Sequence, residues 1–67
     1  MGKRKIREVK IGEYLTLKPE EFPKENIVWV RGEYNHSLKM YSLYKFSDVN
    51  HERFVKGDKE CYVDFIF

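Results

Sequence analysis

The sequence has one cysteine, two prolines and no long hydrophobic run. A single cysteine cannot form an internal disulfide, and a free thiol is typical of a reducing compartment. The longest stretch of aliphatic and aromatic residues is Ile27–Val30. A membrane-spanning helix needs about 20 apolar residues, and the apolar segment of a signal peptide needs about 7–15. We therefore expect a cytoplasmic protein without a membrane partner.

The sequence also lacks a complete metal-binding motif. Asp48-x-Asn50 resembles the start of a calcium loop, but Arg53 occupies the position where that loop has glycine. His51 begins the pattern of the zinc proteases, but Val55 stands where the second histidine is needed. We predict no metal site and no cofactor, and we interpret these residues as ordinary turn chemistry.

Nothing in the sequence predicts an enzyme. A nucleophile needs a neighbouring base and a third group that orients it, and no spacing joins Cys61 to either histidine. Cys61 is predicted on a buried strand face, where its thiol would be inert. A chain of 67 residues also has little room for a deep cleft. We expect a non-enzymatic binding module.

The charges are unevenly distributed. The chain has thirteen basic and eleven acidic residues, a net charge of +2, yet residues 11–67 carry eight basic and ten acidic groups. The excess of positive charge therefore lies in the first ten residues, which contain one acid, Glu8, and five bases: Lys3, Arg4, Lys5, Arg7 and Lys10. A domain that is basic throughout would have a different distribution.

The length predicts one domain. Residues 1–5 are terminal, charged and poor in apolar groups, so we expect a flexible basic arm there and a single small β-barrel domain over 6–67. The barrel would bury only about 60% of the surface of the unfolded chain. Eleven aromatic residues offer the large buried area that a chain this short needs.

Alternating patterns predict β-strands. Residues 13–18 alternate polar and apolar, and 27–33 are rich in β-branched and aromatic side chains. Residues 38–46 are expected to return as the second strand of a long hairpin. Gly57-Asp58 lies between two further strand-like runs and indicates a second hairpin with a type I′ or II′ turn. Gly12 and Gly32 are expected to let strands bend.

These elements predict an all-β, mostly antiparallel fold. We expect a small SH3-like barrel of five to six short strands with at most one or two helical turns. The five-stranded OB barrel is the alternative, although it usually needs more residues.

Which side chains face outward depends on which alternate residues of each strand point into the core. If the valines on either side of Trp29 point into the core, Trp29 points outward, and the same rule turns Tyr14 outward. Applied to every strand, this rule predicts an outer surface with both aromatic and basic side chains: Tyr14, Trp29, Arg31, Lys39, Tyr41 and Tyr62. The alternative is that Trp29 is the central core residue, because a slip of one residue inverts every side chain.

Two functional hypotheses follow. In the first, the module contacts nucleic acid: Lys3, Arg4, Lys5, Arg7 and Lys10 neutralise phosphates, and the aromatic and basic surface stacks on bases. In the second, it is a protein-interaction module, or an accessory or inhibitory subunit, that uses an aromatic groove or an exposed strand edge. A homo-oligomer with an aromatic interface and an arm that only aids solubility remain as further readings.

Overall fold

The computed structural model describes residues 2–67 and contains six short strands and two 3-10 turns. Within these residues, no helix is long and apolar enough to cross a membrane. The 3-10 turns are Ile6–Glu8 and Glu25–Ile27, and the strands are β1 (Gly2–Lys5), β2 (Tyr14–Leu15), β3 (Trp29–Asn35), β4 (Met40–Lys45), β5 (Glu52–Val55) and β6 (Glu60–Val63).

The strands form two antiparallel sheets. β1 pairs with β6, and the second sheet has the order β2-β3-β4-β5. A bridge between Thr16 and Tyr62 joins the two sheets on one side. The prediction of an all-β, mostly antiparallel fold of five to six short strands with at most one or two helical turns is confirmed, while the sheets do not close into a barrel.

The long central hairpin is confirmed as β3 and β4. The register shifts between Arg31 and Tyr34, so Gly32 lies in a bulge that bends β3. Gly12 has a φ of 88° and donates its N–H to the carbonyl of Arg31 at 2.9 Å. This left-handed conformation costs glycine little and turns the chain into β2.

The structure has a strand over residues 2–5, where a flexible basic arm was expected, and residue 1 lies outside the described residues. Gly2–Lys5 form β1, which pairs with β6 in the register Gly2 with Val63 through Lys5 with Glu60. Polar composition is compatible with this strand, because a strand at the edge of a sheet tolerates charged side chains on both of its faces.

The prediction of a second hairpin with its turn at Gly57-Asp58 is wrong. β5 pairs with β4 and β6 pairs with β1, so Gly57-Asp58 connects two sheets instead of two neighbouring strands. The turn is closed by a hydrogen bond from the Lys59 N–H to the Lys56 carbonyl at 3.1 Å. Gly57 does not have the positive φ that a type I′ or II′ turn requires.

The core lies between the sheets. Leu43 from β4 is fully buried, and it packs in one cluster with Ile6, Val9, Leu15, Trp29, Val55 and Cys61. The register places Leu15 opposite Trp29 on neighbouring strands, which puts both side chains on the inner face of the four-stranded sheet. Leu15 is fully buried there.

Candidate functional site

The most notable concave surface combines cations with tyrosine rings. It has a volume of about 450 Å³ and lies where the β3–β4 hairpin approaches the turn after β5. We call it the tyrosine cleft. Its lining residues are Arg7, Tyr34, Leu38, Lys39, Tyr41, Lys56, Gly57 and Asp58.

The tyrosine cleft has an excess of positive charge. Arg7, Lys39 and Lys56 line it together with one carboxylate, that of Asp58. The one ion pair within residues 2–67 joins Lys3 to Glu60 elsewhere in the fold. The three cations of the cleft are exposed and have no carboxylate partner, so they are available to an anion.

Two tyrosine rings form the aromatic wall of the cleft. The ring centroids of Tyr34 and Tyr41 are 4.8 Å apart, at an interplanar angle of 58°. Gly57 lies against this wall, because a Cβ atom there would be only 2.9 Å from a ring carbon of Tyr41. The Gly57 carbonyl also accepts a hydrogen bond from the Arg7 N–H at 3.1 Å. Glycine thus lets the turn and the ring come together.

Arg31 carries a buried positive charge behind this wall. Its side chain is only 8% exposed, and its Cζ atom lies 4.3 Å from the centroid of the Tyr41 ring. One terminal nitrogen donates to the Gly32 carbonyl at 2.9 Å, and the buried Nε has no hydrogen-bond partner. Buried charges in proteins are normally paired. Because the Tyr41 ring also lines the cleft, this charge without a carboxylate partner lies close to the cleft.

The cations of β1 are divided between two faces. Successive side chains of a strand point in opposite directions, so Arg4 points away from Lys3 and Lys5. Lys3 Nζ lies 2.9 Å from a Glu60 carboxylate oxygen, and this hydrogen bond raises the pKa of Lys3 above its ordinary value. Lys10 lies outside the lining of the tyrosine cleft. Of the five predicted basic residues, only Arg7 lines the cleft.

The predicted aromatic surface is also divided. Tyr14 is exposed, as expected, but it lies opposite Val30 on the outer face of the four-stranded sheet. Trp29 is 7% exposed and belongs to the core, so its predicted outward orientation is wrong and the alternative parity is correct. Arg31 and Tyr41 share the inner face with Trp29, and of these three residues only Tyr41 lines the cleft.

A second group of cations surrounds the rim of Trp29. Lys45 Nζ and Arg53 Cζ lie 5.5 Å and 5.6 Å from the ring centroid, in the range of cation–π contacts. Together with Lys18 they line a smaller hollow of about 220 Å³ that contains no carboxylate. Because the indole is buried, this hollow offers cations without an exposed stacking ring.

The sequence reasoning missed Tyr34, Lys56 and Gly57 in the cleft. Tyr34 lies just beyond the run 27–33 that predicts a strand, whereas β3 extends to Asn35. Lys56 and Gly57 belong to the turn that was interpreted as a hairpin loop. The signal was present in the composition of that turn, because Lys56 and Lys59 flank Gly57-Asp58. These lysines could not be assigned to a binding site from the sequence alone, because the sequence does not show that this turn reaches the β3–β4 hairpin.

Cys61 is fully buried, as predicted. Burial, with a smaller contribution from the charge of Glu8, raises the pKa of its thiol from 9.0 to about 11. We expect alkylation by iodoacetamide at pH 8 to be at least about a hundredfold slower in the folded protein than in urea, since two pKa units remove two decades of thiolate. Mass spectrometry of quenched samples measures both rates.

The same shift has a consequence for stability. The unfolded thiol loses its proton near pH 9, whereas the folded thiol keeps it to about pH 11. The free energy of unfolding should therefore decrease as the pH rises from 9 to 11.

A folded-state alkylation rate within about tenfold of the unfolded rate would contradict the buried placement of Cys61.

Within residues 2–67, no group of three or more His, Cys, Asp or Glu side chains is placed to hold a metal ion. Comparison of the chain with protein-family models, with curated proteins and with solved structures finds no significant match.

Proposed function

We propose that this domain is a small, non-enzymatic module that binds single-stranded nucleic acid in the tyrosine cleft. The observation that carries the proposal is the set of three unpaired cations, Arg7, Lys39 and Lys56, around an exposed and a half-buried tyrosine ring. Phosphates need the cations and unstacked bases need the rings, and a single strand presents both groups at close spacing.

The buried guanidinium of Arg31 supports an anionic ligand. Its charge lies 4.3 Å from the centroid of the Tyr41 ring, which lines the cleft, and it has no carboxylate partner within residues 2–67. A ligand that brings negative charge to the cleft would offset part of the cost of burying that charge. A neutral apolar ligand would not.

We further propose that the two sheets represent an SH3-like barrel that is open on one side. The Thr16–Tyr62 bridge supports this assignment, because it continues the hydrogen bonding from one sheet to the other. The free thiol of Cys61 agrees with the proposed cytoplasmic location.

The test replaces the cations of the cleft. We expect the wild-type protein to bind a fluorescein-labelled oligo-dT or oligo-U strand with a salt slope of about −2, since each of three phosphate contacts in a single strand contributes about −0.7. Arg7→Gln, Lys39→Gln and Lys56→Gln in one chain should abolish most of this slope and weaken binding at least tenfold. Fluorescence anisotropy at several salt concentrations measures both quantities.

A matched control distinguishes binding in the cleft from nonspecific attraction to the positive charge of the protein. Lys10→Gln, Lys18→Gln and Lys24→Gln remove the same charge from exposed positions outside the cleft, and they should leave the salt slope nearly unchanged. Substitution is preferable to deleting the first residues, because deletion would remove β1. Equal losses in both variants, or no binding by the wild type at low salt, would refute the proposal.

A further inference from the structure

The outer face of the four-stranded sheet carries a cluster of exposed aromatic rings. The rings of Tyr14, Phe46 and Phe67 meet edge to face, with centroid separations of 5.3 Å, 5.8 Å and 4.9 Å. All three side chains are exposed. Edge-to-face pairs are a stable arrangement, so this cluster is an ordered apolar surface in contact with water.

Exposed apolar side chains are concentrated on this side of the molecule. Within residues 2–67, eleven large hydrophobic residues are exposed, and six of them line or adjoin this face: Ile11, Tyr14, Phe46, Val49, Phe54 and Phe67. Singly scattered apolar residues need no explanation, but a contiguous patch marks an interaction surface. We call this surface the outer apolar face.

Two hollows on the outer apolar face share Tyr44. The first is apolar, with a volume of about 320 Å³, and Val30 and Val49 line it with aromatic rings. The second contains two carboxylates, those of Glu33 and Glu52. Neither hollow is lined by a lysine or an arginine. An apolar hollow beside an acidic one suits a ligand that carries an apolar group next to a positive charge.

We propose that the outer apolar face docks an extended segment of a partner protein in which an apolar anchor side chain is followed by arginine or lysine. The anchor enters the hollow beside Val49, and the cation reaches Glu33 and Glu52 across Tyr44. Ser42 donates a hydrogen bond to the Glu52 carboxylate, which fixes one of the two acceptors in place.

Charge complementarity selects this occupant over the others. A nucleic acid or an anionic lipid surface would meet the two carboxylates. A second copy packed about a two-fold axis would bring four carboxylates into one interface and no lysine or arginine from the two hollows to pair with them, because such an interface uses one patch twice. The inference is independent of the nucleic-acid proposal, which concerns the tyrosine cleft.

The experiment titrates isotope-labelled protein with defined peptides and follows backbone amide shifts. The first probe is a short peptide with adjacent leucines followed by three arginines, and matched probes replace the arginines with glutamates or the leucines with serines. We expect shifts at Ser42, Tyr44 and Phe54 with the first probe, and at least fivefold weaker binding of both matched probes.

Two variants place the binding on the outer apolar face. Val49 is 66% exposed, so Val49→Ser should keep the fold and weaken binding of the first probe at least fivefold, while Phe22→Ser is the control at a similarly exposed position elsewhere. Glu33→Gln should weaken binding two- to fivefold, with Glu20→Gln as its control.

Several results would overturn the inference. They are the absence of shifts at millimolar peptide, equal binding of the glutamate probe, and unchanged affinity of the Val49→Ser variant. Amide shifts at this face that depend on protein concentration without peptide would instead assign the face to self-association.

Discussion

Trp29→Ala is expected to unfold most of the protein at room temperature. The indole is almost completely buried and packs against Leu15, Leu43 and their neighbours in the core. Replacing a buried tryptophan with alanine typically costs about 3–5 kcal/mol. A domain of this size has a stability of about that magnitude. Circular dichroism during thermal denaturation measures the loss.

Trp29→Phe is the matched variant, because it keeps an aromatic ring in the same cavity. It should remain folded at a reduced melting temperature and should bind oligonucleotides as the wild type does. Since Trp29 is the only tryptophan, its emission in the wild type should be blue-shifted and should not be quenched when a strand binds. A folded Trp29→Ala protein with an unchanged melting temperature would contradict the core position.

Arg31→Met is expected to raise the stability of the protein and to weaken its binding of nucleic acid. Methionine fills similar space and can contact the Tyr41 ring through its sulfur, but it removes a buried charge whose Nε is unpaired. We expect the free energy of unfolding to rise by about 1 kcal/mol. The affinity for a single-stranded oligonucleotide should fall about tenfold, since the cleft loses the charge behind its ring. Urea denaturation and fluorescence anisotropy measure the two changes.

Arg53→Met is the control for this variant. Arg53 also lies over an aromatic ring, but its side chain is exposed and does not line the tyrosine cleft. Its replacement should change stability by less than about 0.5 kcal/mol and affinity by less than about threefold. If Arg31→Met lowers the stability and leaves the affinity unchanged, Arg31 is a structural residue and does not support the cleft.

The strand content of the fold could be predicted from sequence because it depends on local patterns. Alternation identified β2, and the β-branched and aromatic run identified β3 and its return in β4. The orientation of β3 could not be predicted in this way. Trp29 and Val30 point to opposite faces of the sheet, yet each is 7% exposed. Alternation is informative only where one face meets water.

The pairing of distant segments also could not be predicted from the sequence. The partner of β1 lies at the other end of the chain, and nothing in its charged residues indicates that they lie beside Glu60–Val63. The same limit applies to the tyrosine cleft, since Arg7, Lys39 and Lys56 come from three separate parts of the chain. Each was visible as a cation, but only the three-dimensional fold brings them together.

The pairing of β1 with β6 sets the order in which the molecule can assemble. Gly2 pairs with Val63, so closing this sheet joins the two ends of a loop that contains nearly the whole chain. The β3–β4 hairpin needs only local contacts and can form first. During synthesis the first strand must wait for the last one, and until then Ile6, at the end of β1, lacks the core neighbours from β5 and β6 that cover it in the native state. The β1–β6 sheet can therefore form only after the residues of β6 have been synthesised.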